Sequence, residues 1–429
     1  MTYSIQGAIM ATQYKLYPYR WVVLAVFAFV NLTIQTLWIA YSPITGPAAE
    51  FHGVTDQRIG LLSMVFMIAF IPLSIPVSWL IDTYGFRIAV GIGVILMGLF
   101  GIARGLAGEN YTMVLWSTVG LAAAQPFLLN AWTKVPANWF AIEERATAVG
   151  IVTLGNLIGT ALGFALTPVL LESMPIPTIQ LIYGGFAAFS AVLFLIFARE
   201  TPPTPPSAPE QQVRALMLDG LKHAFTVKAF WFTTLVSFIG LGIFNGITTW
   251  SESIIRSRGF TPIDAGTLGV LLIVGGLIGA VLFPALSDRQ HKRQLYLYIA
   301  FLGALPGLIG LTYATSSTLL FASAFVLGFF LVSAMPIAMQ YAAEVTNPTP
   351  EGTSNGLIQL VGQASVVFVY IMEALKDPAG TFTPALWLAA GLLLLSAVFV
   401  SQMKDPVMST AGTQKAKRAK KATKKAARA

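Results

Sequence analysis

Runs of about 20 apolar residues recur along nearly the whole chain of 429 residues. A helix of that length crosses the roughly 30 Å hydrocarbon core of a bilayer, and it satisfies its backbone hydrogen bonds internally. Hydrophobic residues make up 56% of the sequence and charged residues only 10%, which is too few charges to cover a water-exposed surface of this size. The sequence therefore predicts an all-α membrane protein.

Apolar runs bounded by breaking residues predict twelve transmembrane helices, in two sets of six. A proline-rich stretch separates the sets, and such a segment is stiff and extended. We expect an N-terminal six-helix bundle (1–200), a Pro-rich cytoplasmic linker (201–222), a C-terminal six-helix bundle (223–405) and a disordered basic tail (406–429). The predicted spans are 21–41, 59–81, 88–107, 111–134, 146–170, 178–198, 229–252, 264–287, 294–314, 317–341, 353–374 and 383–402.

An internal repeat supports two pseudo-symmetric bundles. Asp82 follows the second span and Asp288 follows the eighth, 206 residues later. Asn156 in the fifth span corresponds to Gln363 in the eleventh, 207 residues later. Two unrelated segment pairs thus agree within one residue, as expected for tandem bundles related by a pseudo-two-fold axis.

The basic residues predict the orientation in the membrane. An even number of spans places both termini on one side, and that side receives 21 of the 26 Lys and Arg residues. By the positive-inside rule we expect both termini in the cytoplasm and the protein in the plasma membrane. Eight of the basic residues lie in the tail and account for the net charge of +8. We expect the tail to meet anionic lipid headgroups and not nucleic acid.

Catalytic and metal-binding motifs are missing from the sequence. Cysteine is absent, and the three histidines, His52, His223 and His291, fall in predicted loops, so no clustered metal site is expected. There is no nucleotide-binding loop, nucleophile motif or acid pair. We therefore expect a monomeric protein that is not an enzyme and needs no cofactor.

The loop after the second span, Asp82 to Arg87, resembles the signature loop of the major facilitator superfamily. An aspartate at a helix end can pair with a neighbouring helix N-terminus and with a base, and Gly85 suits a turn that needs positive φ. Asp288 and Arg289 repeat the acidic and basic positions in the second half. We interpret these five positions as a conformational latch, and a solvated turn without function is the alternative.

Further segments resemble the feline leukaemia virus subgroup C receptor-related family. The resemblance implies a twelve-helix transporter of a small organic solute, because animal members carry choline-type cations and haem export is also attributed to them. The similarity is carried by Trp38-Ile39, Gly53-Val54-Thr55, Trp79-Leu80-Ile81-Asp82-Thr83, Leu154-Gly155-Asn156 and Glu344-Val345-Thr346-Asn347-Pro348.

The same resemblance implies a solute site that is only half retained. Trp38 and Gln363 match the tryptophan and glutamine of the family's site. Leu157 stands where the family has a glutamine, and Asn245 stands where it has a tyrosine. The expected cage of aromatic side chains is therefore incomplete.

Polar residues within predicted spans are the other candidates for binding a solute. Trp38 either belongs to an interfacial aromatic belt or offers its π-face to a cation, a contact of about 2 kcal/mol when desolvated. Gln363, Asn156, Asn245 and Gln125 either face a central cavity or join neighbouring helices.

Other intramembrane residues have predicted structural roles. Glycine repeats every four residues in the fifth span, at Gly155, Gly159 and Gly163. This spacing predicts close helix packing along one face of that span. Arg104 is expected to pair with Glu109 or to snorkel towards the headgroups. No acid lies clearly at a helix centre, which disfavours an obligatory proton relay.

The combined prediction is a secondary transporter working by alternating access, as a uniporter or symporter. Two alternatives stay open at this point. One is a carrier of a carboxylate, sugar or drug, coupled to protons, that shares only the fold. The other is a membrane receptor or scaffold that transports nothing.

Overall fold

A computed structural model describes residues 15–206, 218–346 and 351–405 of the chain. Within these ranges the chain forms seventeen α-helices and one 3₁₀ turn. The first eight are α1 (Arg20–Ile39), α2 (Thr45–His52), α3 (Asp56–Tyr84), α4 (Phe86–Leu106), α5 (Tyr111–Leu129), α6 (Lys134–Trp139), α7 (Ile142–Leu171) and α8 (Ile176–Phe197), with the 3₁₀ turn at Ser42–Ile44. The others are α9 (Leu218–Thr226), α10 (Lys228–Thr249), α11 (Ser251–Arg256), α12 (Pro262–Gln290), α13 (Arg293–Tyr313), α14 (Ser317–Val345), α15 (Glu351–Gln363), α16 (Val366–Ala374) and α17 (Thr383–Ser401).

Twelve helical segments of the described chain are long and apolar enough to cross a membrane. The predicted fold of twelve transmembrane helices is thereby confirmed. Several helices extend a few residues beyond the predicted spans, as α3 does by beginning at Asp56 and ending at Tyr84. Hydropathy detects only the part within hydrocarbon, whereas a helix continues into the headgroup layer with polar residues.

The buried apolar side chains form two main cores, one in each set of six spans. The first core runs from Val23 to Ala198, and the second contains residues from Val236 to Met403. Met64 and Met67 of α3 pack into the second core. Each half therefore has its own apolar core, and α3 of the first half also packs against the core of the second.

Successive spans alternate in direction, so the helical bundle has two ends. We name the end where α1 begins and α17 ends the terminal face, and the opposite end the distal face. The loops after Ile39, Leu106, Leu171, Thr249, Tyr313 and Ala374 lie at the distal face.

The backbone of α1 lies directly against the three glycines that repeat along α7, namely Gly155, Gly159 and Gly163. A Cβ added at Gly155 would lie 2.9 Å from the Ala28 carbonyl oxygen, and one at Gly159 would overlap the Leu32 carbonyl. A Cβ added at Gly163 would lie 3.0 Å from the Thr36 carbonyl oxygen. Thr36 Oγ1 also donates a hydrogen bond to the Gly159 carbonyl oxygen at 2.9 Å. Small residues here let the two backbones approach closely, which is how helices associate within lipid.

Replacing Gly159 by valine is expected to separate α1 from α7 and to destabilise the protein by about 1–3 kcal/mol, because added methyl groups overpack a filled contact. The measurement is the melting temperature of the purified protein in detergent. Gly150→Ala is the matched control in α7, since a Cβ there meets nothing within 4 Å. Equal melting temperatures for the two variants would contradict the packing described here.

Candidate functional site

The first span of each half loses its α-helical form at the distal face. α1 ends at Ile39 and a 3₁₀ turn follows, while α10 ends at Thr249 and the short α11 follows. Helix ends leave carbonyl groups without helical partners. Ser42 Oγ donates to the Thr249 carbonyl oxygen at 3.1 Å, contacts the Thr248 carbonyl, and lies 3.0 Å from Ser251 Oγ. Residues 42 and 249 occupy equivalent places in the internal repeat, so the two repeats meet here.

Trp38 lies one turn before this contact and is held against α3. Its side chain is 8% exposed, and the indole Nε1 donates to the Ser63 carbonyl oxygen at 3.2 Å. Ser63 Oγ in turn donates to the Trp38 carbonyl oxygen at 3.4 Å. The ring is buried in protein and is not part of a lipid-facing belt. Since its N–H is already bonded, the group it retains for a ligand is its π-face.

Arg104 lies inside the bundle beside the end of α1. Its side chain is 2% exposed; Nη1 donates to the Leu37 carbonyl oxygen at 3.0 Å, and the guanidinium lies 5.5 Å from the ring centre of Tyr41. The prediction that Arg104 snorkels or pairs with Glu109 is wrong. Gly101 and Gly105 let α4 pack directly against α8, and Arg104, between them in sequence, contacts the end of α1. Arg104 therefore binds the α1 segment on both sides of Trp38.

Asn245 occupies in the second half the place that Trp38 occupies in the first, 207 residues earlier. Asn245 is buried, and its Nδ2 donates to Ser365 Oγ at 3.3 Å. Ser365 lies between α15 and α16, where the eleventh span is interrupted, two residues after the half-buried Gln363. The structure thus brings Asn245 close to the helix break that carries Gln363. Leu157 packs against the core of the second half.

Asn156 and Gln125 are buried among the helices of the first half. Asn156 Nδ2 donates to the Val152 carbonyl oxygen of its own helix at 3.1 Å, so this nitrogen does not join two helices. Within the described part of the chain, Asn156 Oδ1 and Gln125 Oε1 are buried without a hydrogen-bond partner, and so are Asn31 Oδ1 and Gln35 Oε1. These groups are acceptors that lack donors.

The five predicted binding residues are neutral, whereas the buried Arg104 beside the end of α1 is a cation. Trp38, Gln363, Asn156, Asn245 and Gln125 carry no formal charge. The described residues contain no group of three or more His, Asp or Glu side chains that could hold a metal ion. The arrangement offers hydrogen-bond acceptors and an aromatic face, but no base and no acid that would transfer a proton.

The predicted latch residues of the first half, Asp82, Gly85 and Arg87, lie at the terminal face. Asp82 pairs with Lys134 at 3.0 Å and not with Arg87. The backbone N–H groups of Phe86 and Arg87 instead donate to the Glu200 carboxylate at 3.1 and 2.7 Å. Gly85 has φ +87°, which makes the turn before α4 possible. Glu200 therefore caps α4, a role that the sequence did not reveal.

The second half repeats this arrangement with its own residues. Asp288 pairs with Arg293 and not with the exposed Arg289, and Arg293 also pairs with Glu344 at 2.9 Å. Asp405 Oδ1 accepts the backbone N–H of Gln294 at 2.8 Å. Each half thus ends in a carboxylate that caps the start of its own third span. Contacts between neighbouring residues in space select the base with which each aspartate pairs.

A sequence model of the Major Facilitator Superfamily matches residues 23–370 of the chain. The chain is 27% identical over 428 residues to the zebrafish (Danio rerio) choline/ethanolamine transporter flvcr2b, covering 94% of this chain and 88% of that protein. It is 27% identical over 400 residues to human (Homo sapiens) choline/ethanolamine transporter FLVCR2, covering 88% and 76%. It is 29% identical over 406 residues to solute carrier family 49 member A3 of Xenopus tropicalis, covering 89% and 84%.

A solved structure has a similar fold. It is a bacterial homologue of the human lysosomal transporter spinster, in an inward-facing and unoccupied conformation. The TM-score is 0.66 at 15% sequence identity, with 90% of this chain and 96% of that chain covered. At this identity the likeness concerns the fold alone.

Replacing Glu200 by alanine is expected to destabilise the protein by about 0.5–2 kcal/mol, because two backbone donors of α4 lose their acceptor. Lys134→Ala removes only the partly exposed pair with Asp82, which is worth about 0–1 kcal/mol. Melting temperatures in detergent, measured side by side, distinguish the two effects. A Lys134→Ala variant that melts lower than the Glu200→Ala variant would show that the capping role is overstated.

Proposed function

The chain belongs to the major facilitator superfamily and is a secondary transporter of a small organic solute, and we propose that its solute is a small alcohol carrying an ammonium group, of the choline and ethanolamine type. The observation that carries this proposal is a set of neutral, buried amide acceptors together with one aromatic face, Trp38, next to the end of α1. Relatives that match most of the chain are named choline/ethanolamine transporters, which supports the same class of solute.

The chemistry of an ammonium alcohol fits the groups available. The π-face of Trp38 attracts a cation, and its bonded indole N–H keeps that face in place. Amide oxygens such as those of Gln125 and Asn156 accept hydrogen bonds from a hydroxyl or a primary ammonium group. A quaternary ammonium such as that of choline is weakly hydrated and leaves water at modest cost, whereas the primary ammonium of ethanolamine needs the amide oxygens as acceptors.

A carboxylate or phosphate solute fits less well. An anion in a low-dielectric site needs a base or several donors to offset the loss of water. The buried Arg104 binds the Leu37 carbonyl through Nη1 and lies against the Tyr41 ring, and its Nε and Nη2 have no hydrogen-bond partner among the described residues. The five proposed binding residues, Trp38, Gln363, Asn156, Asn245 and Gln125, offer no base.

The two departures from the family's site bear on affinity. An amide at Asn245 replaces an aromatic ring, and Leu157 contributes only apolar surface. The cation is then held by one aromatic wall at Trp38 and by amide oxygens on the opposite half. We propose that Gln363, at the break between α15 and α16, binds the hydroxyl group of the solute.

Transport proceeds by alternating access, and we propose that residues 1–200 rock against residues 223–405. In the described state the distal face is closed, by Ser42 against the end of α10 and by ion pairs that bridge the halves. The site then opens towards the terminal face. Asp82, Gly85, Arg87, Asp288 and Arg289 lie at that face, where a latch would have to re-form when it closes.

The orientation, location and partners are part of the proposal. The excess of Lys and Arg at the terminal face supports a cytoplasmic position for both termini. We place the protein in the plasma membrane as a monomer without cofactor or enzymatic activity. The basic tail, residues 406–429, lies outside the described residues; its proposed partner is the anionic lipid surface and not nucleic acid.

Choline and ethanolamine are expected to raise the melting temperature of the purified protein, and Trp38→Ala is expected to abolish the rise, because the cation loses its aromatic wall. Loss of about 2 kcal/mol corresponds to roughly 30-fold weaker binding. Trp38→Phe keeps a π-face and should retain part of the shift. Trp116→Ala, at a tryptophan that is 66% exposed, is the matched control and should behave like the original protein.

Uptake into proteoliposomes provides the independent measurement of solute class. We expect saturable uptake of choline or ethanolamine, reduced by Gln363→Ala through a higher KM, because the hydroxyl group loses its partner. The panel includes a dicarboxylate and a hexose, each with and without a pH gradient. Uptake of the dicarboxylate or hexose together with no uptake of either amine would overturn the proposed class.

A further inference from the structure

Charged side chains from both halves meet at the distal face, just beyond the ends of α1 and α10. Glu252 Oε2 accepts the backbone N–H of Gly46, in the other half, at 3.0 Å. Arg256 pairs with Glu252 at 3.0 Å through Nε and with Asp56, also in the other half, at 2.6 Å through Nη2. Lys376 pairs with Glu373 at 2.9 Å and lies 3.8 Å from Asp56. We name these five side chains, Asp56, Glu252, Arg256, Glu373 and Lys376, the distal charge cluster.

The distal charge cluster has one more acid than it has bases. Asp56, Glu252 and Glu373 face only Arg256 and Lys376, so the cluster is net negative when every group is ionised. Glu50 adds a further acid, because it lines the same distal groove as Asp56 and Glu252. An incompletely balanced charge is costly at the one buried member, Glu252. Binding of a single proton would balance the five charges.

Glu252 is the member that closure removes most completely from water. Its side chain is 2% exposed, whereas that of Arg256 is 41% exposed. It is enclosed by Gly46 of the opposite half, at a glycine where a Cβ would lie 3.1 Å from its Oε1. When the halves part, the Gly46 contact is lost and water reaches the carboxylate. Its surroundings therefore depend on the conformation of the carrier.

We propose that Glu252 is a proton-binding site whose occupancy stabilises the carrier with its distal face closed. The protonated carboxyl keeps the hydrogen bond from Gly46, since the carbonyl oxygen still accepts it. A neutral Glu252 no longer forms an ion pair with Arg256, so Arg256 pairs with Asp56 alone and Lys376 pairs with Glu373. The remaining charges of the distal charge cluster are then balanced. A groove of about 490 Å³, lined by Glu50, Asp56, Glu252 and Arg256 among others, gives protons access from the distal side.

The pKa of Glu252 supports tighter proton binding when the distal face is closed. Burial raises it above the usual value of a glutamate, nearby Asp56 raises it further, and Arg256, the Gly46 N–H and Lys376 lower it without cancelling the burial. With the distal face open, the pKa of the hydrated carboxyl returns towards the usual range of a glutamate. The closed state therefore binds the proton more tightly, and acid favours closure as pH falls through the pKa of the closed state. Each unit of difference in the pKa of Glu252 between the closed and the open state shifts the equilibrium between these states by up to a factor of ten.

The experiment measures the separation of the halves at the distal face in nanodiscs between pH 5 and pH 8.5. The chain contains no cysteine, so spin labels can be placed with Ser173→Cys and Thr315→Cys, two exposed loop positions, one on each half. Electron-electron resonance then gives the distance distribution. We expect the short-distance population to grow as pH falls. With Glu252→Gln, which is permanently neutral, this population should stay high at every pH.

Two matched variants identify the carboxylate that binds the proton. Asp56→Asn removes the charge that raises the pKa of Glu252, so the pH response should persist but move to lower pH. Glu373→Gln leaves Glu252 intact and should keep a pH response. A distribution that does not change with pH, a response that survives in Glu252→Gln, or opening in acid would each overturn the proposal. No solute is present, so such a failure leaves the proposed solute class untouched.

Discussion

In hydrocarbon every backbone N–H and C=O group needs a partner within the protein, and this requirement governs the whole structure. Uninterrupted helices satisfy it along most of each span. The first, seventh and eleventh spans are interrupted near Ile39, Thr249 and Gln363, and protein groups supply partners at each of these places. Ser42 bonds the end of α10, Arg104 bonds the end of α1, and Ser365 at the third break bonds Asn245. Polar side chains gather where helices break, and that is where a polar solute can be held inside a membrane.

The neutral character of the five proposed binding residues follows from the same constraint. A fixed charge that bound the solute would need another partner after release, whereas amides and an aromatic face bind a cation and release it without leaving a newly unpaired charge. The fixed charges that bridge the halves near Gly46 lie at the distal face, where water reaches them on opening. Binding and closure therefore use different residues, and a proton can act on closure without entering the solute site.

Much of the fold was predictable because hydropathy reports the lipid constraint directly and the 206-residue repeat reports the two halves. The contacts that define the site were less predictable. Arg104 was expected at a lipid headgroup, but it is buried against Leu37 and Tyr41 at the end of α1. Glu200 followed the sixth span like an ordinary linker residue, yet it caps a helix that begins 114 residues earlier. Hydropathy contains no information on which helices become neighbours. Ion-pair partners such as Lys134 for Asp82 could therefore be identified only from the three-dimensional packing.

The central claim is that an ammonium alcohol binds between the two halves, against Trp38 and beside the break that carries Gln363. The most direct measurement is a structure determined by electron cryo-microscopy with choline or ethanolamine present at saturating concentration. The account predicts density for the ammonium group over the Trp38 ring, with the hydroxyl group within hydrogen-bond distance of Gln363. Density for the solute elsewhere, with the space beside Trp38 filled by side chains or lipid, would contradict it.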